Sequence, residues 1–97
     1  MACHYLQMDD SREFYSKLKS RDSDIVLKMA KCVLSACERK KERIDIFDVT
    51  FSKSLGGIVF TIDQSQYRDL LQNCMDDLIK MEEYELCARI KKVLEEQ

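Results

Sequence analysis

Arg39, Lys40, Lys41 and Arg43 crowd one short segment, and Lys28 and Lys31 precede them at helical spacing. Cations gathered along one helix can hold phosphate, either in a nucleic acid or in a small nucleotide. Glu38 and Glu42 are interleaved with them, so a solvated helix end is the simpler reading of the same residues. His4 is the one histidine, and it lies beside Cys3 in a segment without periodic pattern. A Cys–His dyad needs an ordered setting and an orienting group, which a loose tail does not supply.

Metal chemistry finds no better footing. The chain has five cysteines but no CxxC pair, the usual half of a zinc site. Cys32 and Cys37 stand about 140° apart around a regular helix and cannot share an ion. Cys74 and Cys87 fall on facing helices and could approach each other. Reduced thiols packed as small hydrophobes are the expectation for the cysteines. The carboxylate pairs Asp9–Asp10, Asp76–Asp77, Glu82–Glu83 and Glu95–Glu96 are adjacent residues. On a helix such neighbours point in different directions, so they make no shared acid–base site. Gly56–Gly57 lacks the Lys-Ser/Thr that would follow in a phosphate loop and reads as a hairpin turn. No catalytic, metal-binding or cofactor-binding residue is expected, and the chain reads as non-enzymatic.

Composition agrees with one small folded domain over residues 1–97. Hydrophobic residues make up 45%, enough for a core. Charged residues reach 35%, but the formal net charge is only −2. That near-balance argues against a general nucleic-acid coat, which needs a net basic face. No run approaches the roughly 20 apolar residues that span a bilayer, so no membrane association is expected. No secretory signal is visible, and a cytoplasmic location follows as an expectation.

The elements that would position these residues follow from periodicity. Residues 1–8 read as a loose tail. A helix is predicted from about Ser11 to Lys19, with Phe14, Tyr15 and Leu18 on one face. Ser23 is a candidate cap for the longest helix, Asp24 to about Arg43, apolar around most of its circumference. Ile44 to Phe51 and Ile58 to Ile62 read as two strands joined at Gly56–Gly57, with a bulge between Ile46 and Val49. Asp63 with Gln66 makes a capping box for a third helix, striped by Tyr67, Leu70, Leu71, Cys74, Met75, Leu78 and Ile79. A fourth helix begins at Tyr84 or Glu85 and buries Leu86, Cys87, Ile90, Val93 and Leu94. The predicted class is α+β in the order ααββαα, with a two-stranded antiparallel hairpin packed on four helices. Two strands alone are marginal, so a second copy of the chain is expected to complete the sheet, making a homodimer.

Within the last two helices, Met75 and then Tyr84-Glu85-Leu86-Cys87-Ala88-Arg89-Ile90-Lys91 resemble the UVR motif, a helical hairpin of nucleotide-excision repair subunits and some protease adaptors. Tyr84 and Glu85 match its aromatic–Glu pair, Cys87 and Ala88 its small residues, Arg89 its basic residue and Ile90 its aliphatic one. Lys92 departs from the pattern, which has an acidic residue there. The resemblance covers roughly a quarter of the chain and implies protein–protein docking. The functional expectation is a small adaptor or regulator that binds another protein. Its anchors would be Met75, Tyr84 and Arg89 in the hairpin, with Phe47 or Val59 on an exposed sheet face. Compact chains with few loops are common among phage-encoded and accessory regulators, an analogy only. The alternative is a nucleic-acid or nucleotide-binding protein using Lys28, Lys31, Arg39, Lys40, Lys41 and Arg43.

Overall fold

The computed structural model describes residues 2–96; Met1, the first residue of the expected tail, and Gln97 lie outside it. The chain is α+β, but its order is βααββαα and its sheet has three strands. The difference lies at the N-terminus. His4–Met8 is not a tail but a strand, β1, that pairs in parallel with a later strand. Within it Leu6 and Met8 turn toward the core, while Tyr5 and Gln7 face solvent.

Two helices follow. The first, α1 (Ser11–Lys19), is capped by the Asp10 side chain, which accepts from the Glu13 N–H at 3.1 Å. The second, α2 (Ser23–Glu38), starts one residue earlier than expected. Its cap is Asp22, not Ser23, accepting from the N–H groups of Asp24 and Ile25 at 3.1 and 3.2 Å. It also stops short of Arg43. Lys40 adopts a left-handed φ of 55°, its N–H donates to the Cys37 carbonyl, and that of Lys41 donates to the Ala36 carbonyl. This is a Schellman ending. Arg21 after α1, at φ 58°, and Glu82 near the last turn, at φ 60°, end their helices the same way. Beyond Cys37 the charged run has nothing to bury, so no packing energy continues the helix.

Arg43–Phe51 forms β2 and Gly57–Asp63 forms β3, an antiparallel pair as the alternation implies. Gly57 is required there, because a Cβ on it would lie 2.0 Å from the Val49 carbonyl oxygen. The register slips between Asp45 and Phe47, close to the expected bulge. Ile46 is the extra residue, and both it and Phe47 are 0% exposed. Regular pleating sends consecutive side chains to opposite faces, and the bulge sends both inward. Phe47 is therefore a core residue and not the docking residue expected on an exposed face. Its ring stacks on Phe60 at 6.4 Å and meets Phe14 edge-on at 5.9 Å.

In the sheet β2 is central, with His4 opposite Phe47 and Met8 opposite Phe51. The outer face carries a row of Tyr5, Asp48 and Val59, and nearby the Thr61 hydroxyl donates to Asp45 at 2.7 Å. Because the chain's own β1 supplies the third strand, a second copy is not needed to complete the sheet. Cys3, just before β1, is bonded to Cys32 on α2, with Cα atoms 6.2 Å apart. These two cysteines are therefore not the reduced thiols expected; Cys74 and Cys87 are buried and unbridged.

The capping box is present as read. Gln66 accepts from the Asp63 N–H at 2.9 Å, and Asp63 accepts from the Ser65 N–H at 2.9 Å. It opens α3 (Gln64–Lys80), whose Tyr67, Leu71, Cys74 and Leu78 are buried. After a turn, α4 (Tyr84–Glu95) folds back and buries Leu86, Cys87, Ile90 and Val93. Arg68 on α3 donates to the Leu94 carbonyl at 3.0 Å, tying the two helices of the hairpin together. Among the described residues, no helix is long and apolar enough to cross a membrane.

Candidate functional site

The six cations of the sequence do not form one strip. Lys28 is engaged by Asp24 at 3.0 Å, one turn away on α2. Lys31 and Arg39 are exposed on and just after α2. Arg43 begins β2 opposite Asp63, whose carboxyl is held below its ordinary pKa by hydrogen bonds from Ser65 and, to a smaller extent, by the positive charge of Arg43. Lys40 and Lys41 part from the others because the left-handed turn at Lys40 swings the chain away from the axis of α2.

That turn carries them to a cleft of about 540 Å³. The end of α2 supplies Ala36, Cys37 and Glu38, and the turn after it Lys40 and Lys41. The first turn of α3 supplies Gln64 and Tyr67. Arg89, Lys92 and Val93 come from α4, with Glu96 just beyond it. Four cations thus converge on one concavity, with two carboxylates among them. The Arg89 guanidinium donates to Glu38 at 2.7 Å, a pair whose side chains are 58% and 41% exposed. Lys40, Lys41 and Lys92 make no ion pair among the described residues.

Tyr67 is the unusual member of this lining. It is only 2% exposed, and its hydroxyl has no hydrogen-bond partner among the described residues. A buried polar atom left unmatched costs on the order of 1–3 kcal/mol, so a native orphan calls for an explanation. Burial, then electrostatic interaction with Cys37 and with the Asp63 carboxylate, push its pKa above the ordinary phenol value. The group therefore remains a neutral O–H donor at physiological pH.

Thiol chemistry is poorly supported elsewhere. Burial pushes Cys74 up to about 11, with Arg21 opposing and Asp77 adding to the shift. Burial and then Glu83 also raise Cys87. Neither supplies a thiolate near neutral pH. His4 packs its ring 5.9 Å from Phe47. Among the described residues, no group of three or more His, Cys, Asp or Glu side chains could hold a metal ion.

The expected docking residues are scattered. Met75 is half-buried against the core, Tyr84 is 62% exposed at the start of α4, and Val59 lies on the outer sheet face. Ala88, matched to a small residue of the hairpin motif, is exposed and not at a close helix approach. Arg89 alone joins the cleft, where it meets Lys40 and Lys41 from the other candidate set. Sequence reasoning missed Gln64, Tyr67 and Lys92. The available signals were a tyrosine within an apolar helical stripe, whose hydroxyl must find a partner if buried, and Lys92, the residue that breaks the hairpin motif. Comparison with protein-family models, with curated proteins and with solved structures returned no match.

Proposed function

We propose that this chain is a non-enzymatic binding module that captures an anionic group in the cleft between α2, α3 and α4. The observation that carries the reading is the convergence of Lys40, Lys41, Arg89 and Lys92 on one concavity, with the three lysines in no ion pair among the described residues. Cations on separate elements repel one another when brought together. An incoming anion relieves that repulsion. The binding reading follows from the sequence-level alternative of a phosphate-binding surface, but keeps only Lys40 and Lys41 of its six cations and adds Arg89 and Lys92 from the hairpin.

The test is a titration of the isotope-labelled chain with inorganic phosphate, citrate and a Glu-rich peptide, followed by amide chemical shifts. At least one anion should shift Lys41, Tyr67 and Lys92 together, and more weakly at high salt. If all three leave those amides unmoved, the reading fails.

A second reading, docking of another protein on the hairpin tip, draws support from Ile79 and Tyr84. These apolar side chains flank the α3–α4 turn and are 46% and 62% exposed. Aromatic residues of this kind anchor protein interfaces. Such binding would respond little to salt and would be lost in Tyr84→Ala.

A further inference from the structure

We propose that the ligand of the cleft is a small phosphate monoester, nucleotide-sized or smaller, and that the Glu38 carboxylate occupies its place on Arg89 when the site is empty. The inference rests on the reading of the cleft as an anion site and deepens it to a ligand class.

Charge selects phosphate over a single carboxylate. The four cations of the cleft, set against Glu38 and Glu96, leave two net positive charges. A phosphate monoester brings about −1.5 to −2 at neutral pH, whereas a carboxylate brings one. Donor geometry agrees. A guanidinium presents a planar fork matched to oxyanions, phosphate included. Here a carboxylate oxygen of Glu38 already sits 2.7 Å from the Arg89 guanidinium, in the position a phosphate oxygen would take. The exposed pair is held by modest energy, so a dianion can displace Glu38.

Shape selects a small molecule over a polymer. The volume of about 540 Å³ lies within the roughly 300–1,000 Å³ of small-ligand pockets. Ala36 and Val93 give it an apolar wall for an organic remainder. A nucleic acid instead requires cations spread along its backbone. The other cations of this segment are dispersed, Lys28 on Asp24 and Arg43 beside Asp63. The net charge of −2 also provides no long-range attraction for a polyanion.

The experiment uses the full chain and four probes at matched ionic strength: inorganic phosphate, adenosine monophosphate, citrate and a single-stranded oligonucleotide. Phosphate and adenosine monophosphate should bind saturably, with amide shifts centred on Lys41, Tyr67 and Lys92. Arg89→Ala should weaken both by roughly tenfold or more. Glu38→Gln should tighten both, because the competing carboxylate is gone. Were Arg89 and Glu38 merely an interhelical strut, Glu38→Gln would loosen the fold and leave affinity no better, and the inference would fall. Binding of citrate without phosphate would overturn the phosphate class but leave the anion reading intact. Tighter binding of the oligonucleotide, counted per phosphate, would overturn the small-molecule part. No binding by any probe would end the phosphate inference, and if the Glu-rich peptide is silent as well, the anion reading with it.

Discussion

Two clefts of nearly equal volume, about 540 and 510 Å³, share α3 as a wall. They differ in how their charges are used. In the second, between α1, α2, β3 and α3, the Arg21 guanidinium donates to Asp77 at 2.5 Å and to the Asn73 carbonyl. Its remaining lining is largely apolar, with Leu18, Val26, Met29 and Phe60, and carries one further charge, Asp69. That arginine is a strut pinning the turn after α1 to the middle of α3. In the first cleft, three lysines have no ion pair, one arginine has a single exposed partner, and a buried hydroxyl has none. Charges that hold a fold are matched by the fold itself. Charges left unmatched around a concavity are what a binding site requires.

The comparison can be broken or sharpened by experiment. The largest effect should come from Leu71, which is 0% exposed on α3, the shared wall. Leu71→Ala should cost about 2–5 kcal/mol in denaturant unfolding and degrade both clefts together. A similar loss is expected for Ile90→Ala, since Ile90 is also 0% exposed and holds α4 in place. Unchanged stability in either would refute the packing described.

Next comes pH. Cys74 lines the second cleft, and burial raises it from its ordinary value near 9 to about 11. The folded state holds that proton after the unfolded chain has released it. Stability should therefore be unaffected by this group below pH 9 and fall as pH rises toward 11, by roughly 2–3 kcal/mol in total. Cys74→Ala should remove that alkaline slope, measured by denaturation at successive pH values.

A smaller difference should separate the two arginines. Arg21→Ala should cost about 0.5–1 kcal/mol, because its partners include a backbone carbonyl but its side chain is half-exposed. Arg89→Ala should cost less than about 0.5 kcal/mol, because both members of its pair are exposed to water. Equal losses would erase the distinction between strut and site. The one change of opposite sign is expected for Tyr67→Phe, which should stabilise the fold by about 1 kcal/mol, because it removes a hydroxyl the fold leaves unmatched. A clear drop in Tm for this variant would mean that the hydroxyl has a structural partner.

The sequence determined the elements whose signals are local. Asp63 and Gln66 reach the backbone within one helical turn, so the start of α3 could be read from their spacing. The alternation of Ile58, Phe60 and Ile62 and the pair Gly56–Gly57 specify a hairpin through neighbouring residues. The start of α4 at Tyr84, and its buried Leu86, Cys87, Ile90 and Val93, follow from a 3.6-residue period. The basic cluster was legible as a group of charges, and a part of the site was thereby in view.

Tertiary structure alone decided the rest, because the partners involved are distant in the chain. The five residues of β1 are too few to declare a strand; their hydrogen bonds exist only because β2, some forty residues later, lies alongside. Phe47 looked like an outward position until the bulge at Ile46 turned it inward against Phe14 and Phe60. Cys3 and Cys32 meet only when β1 and α2 are packed. The cleft needs Lys41, Tyr67 and Arg89, contributed by three segments that no local period relates. Local spacing encodes backbone conformation, whereas a binding site is a coincidence of side chains in space, and only the packing of helices against the sheet brings that about.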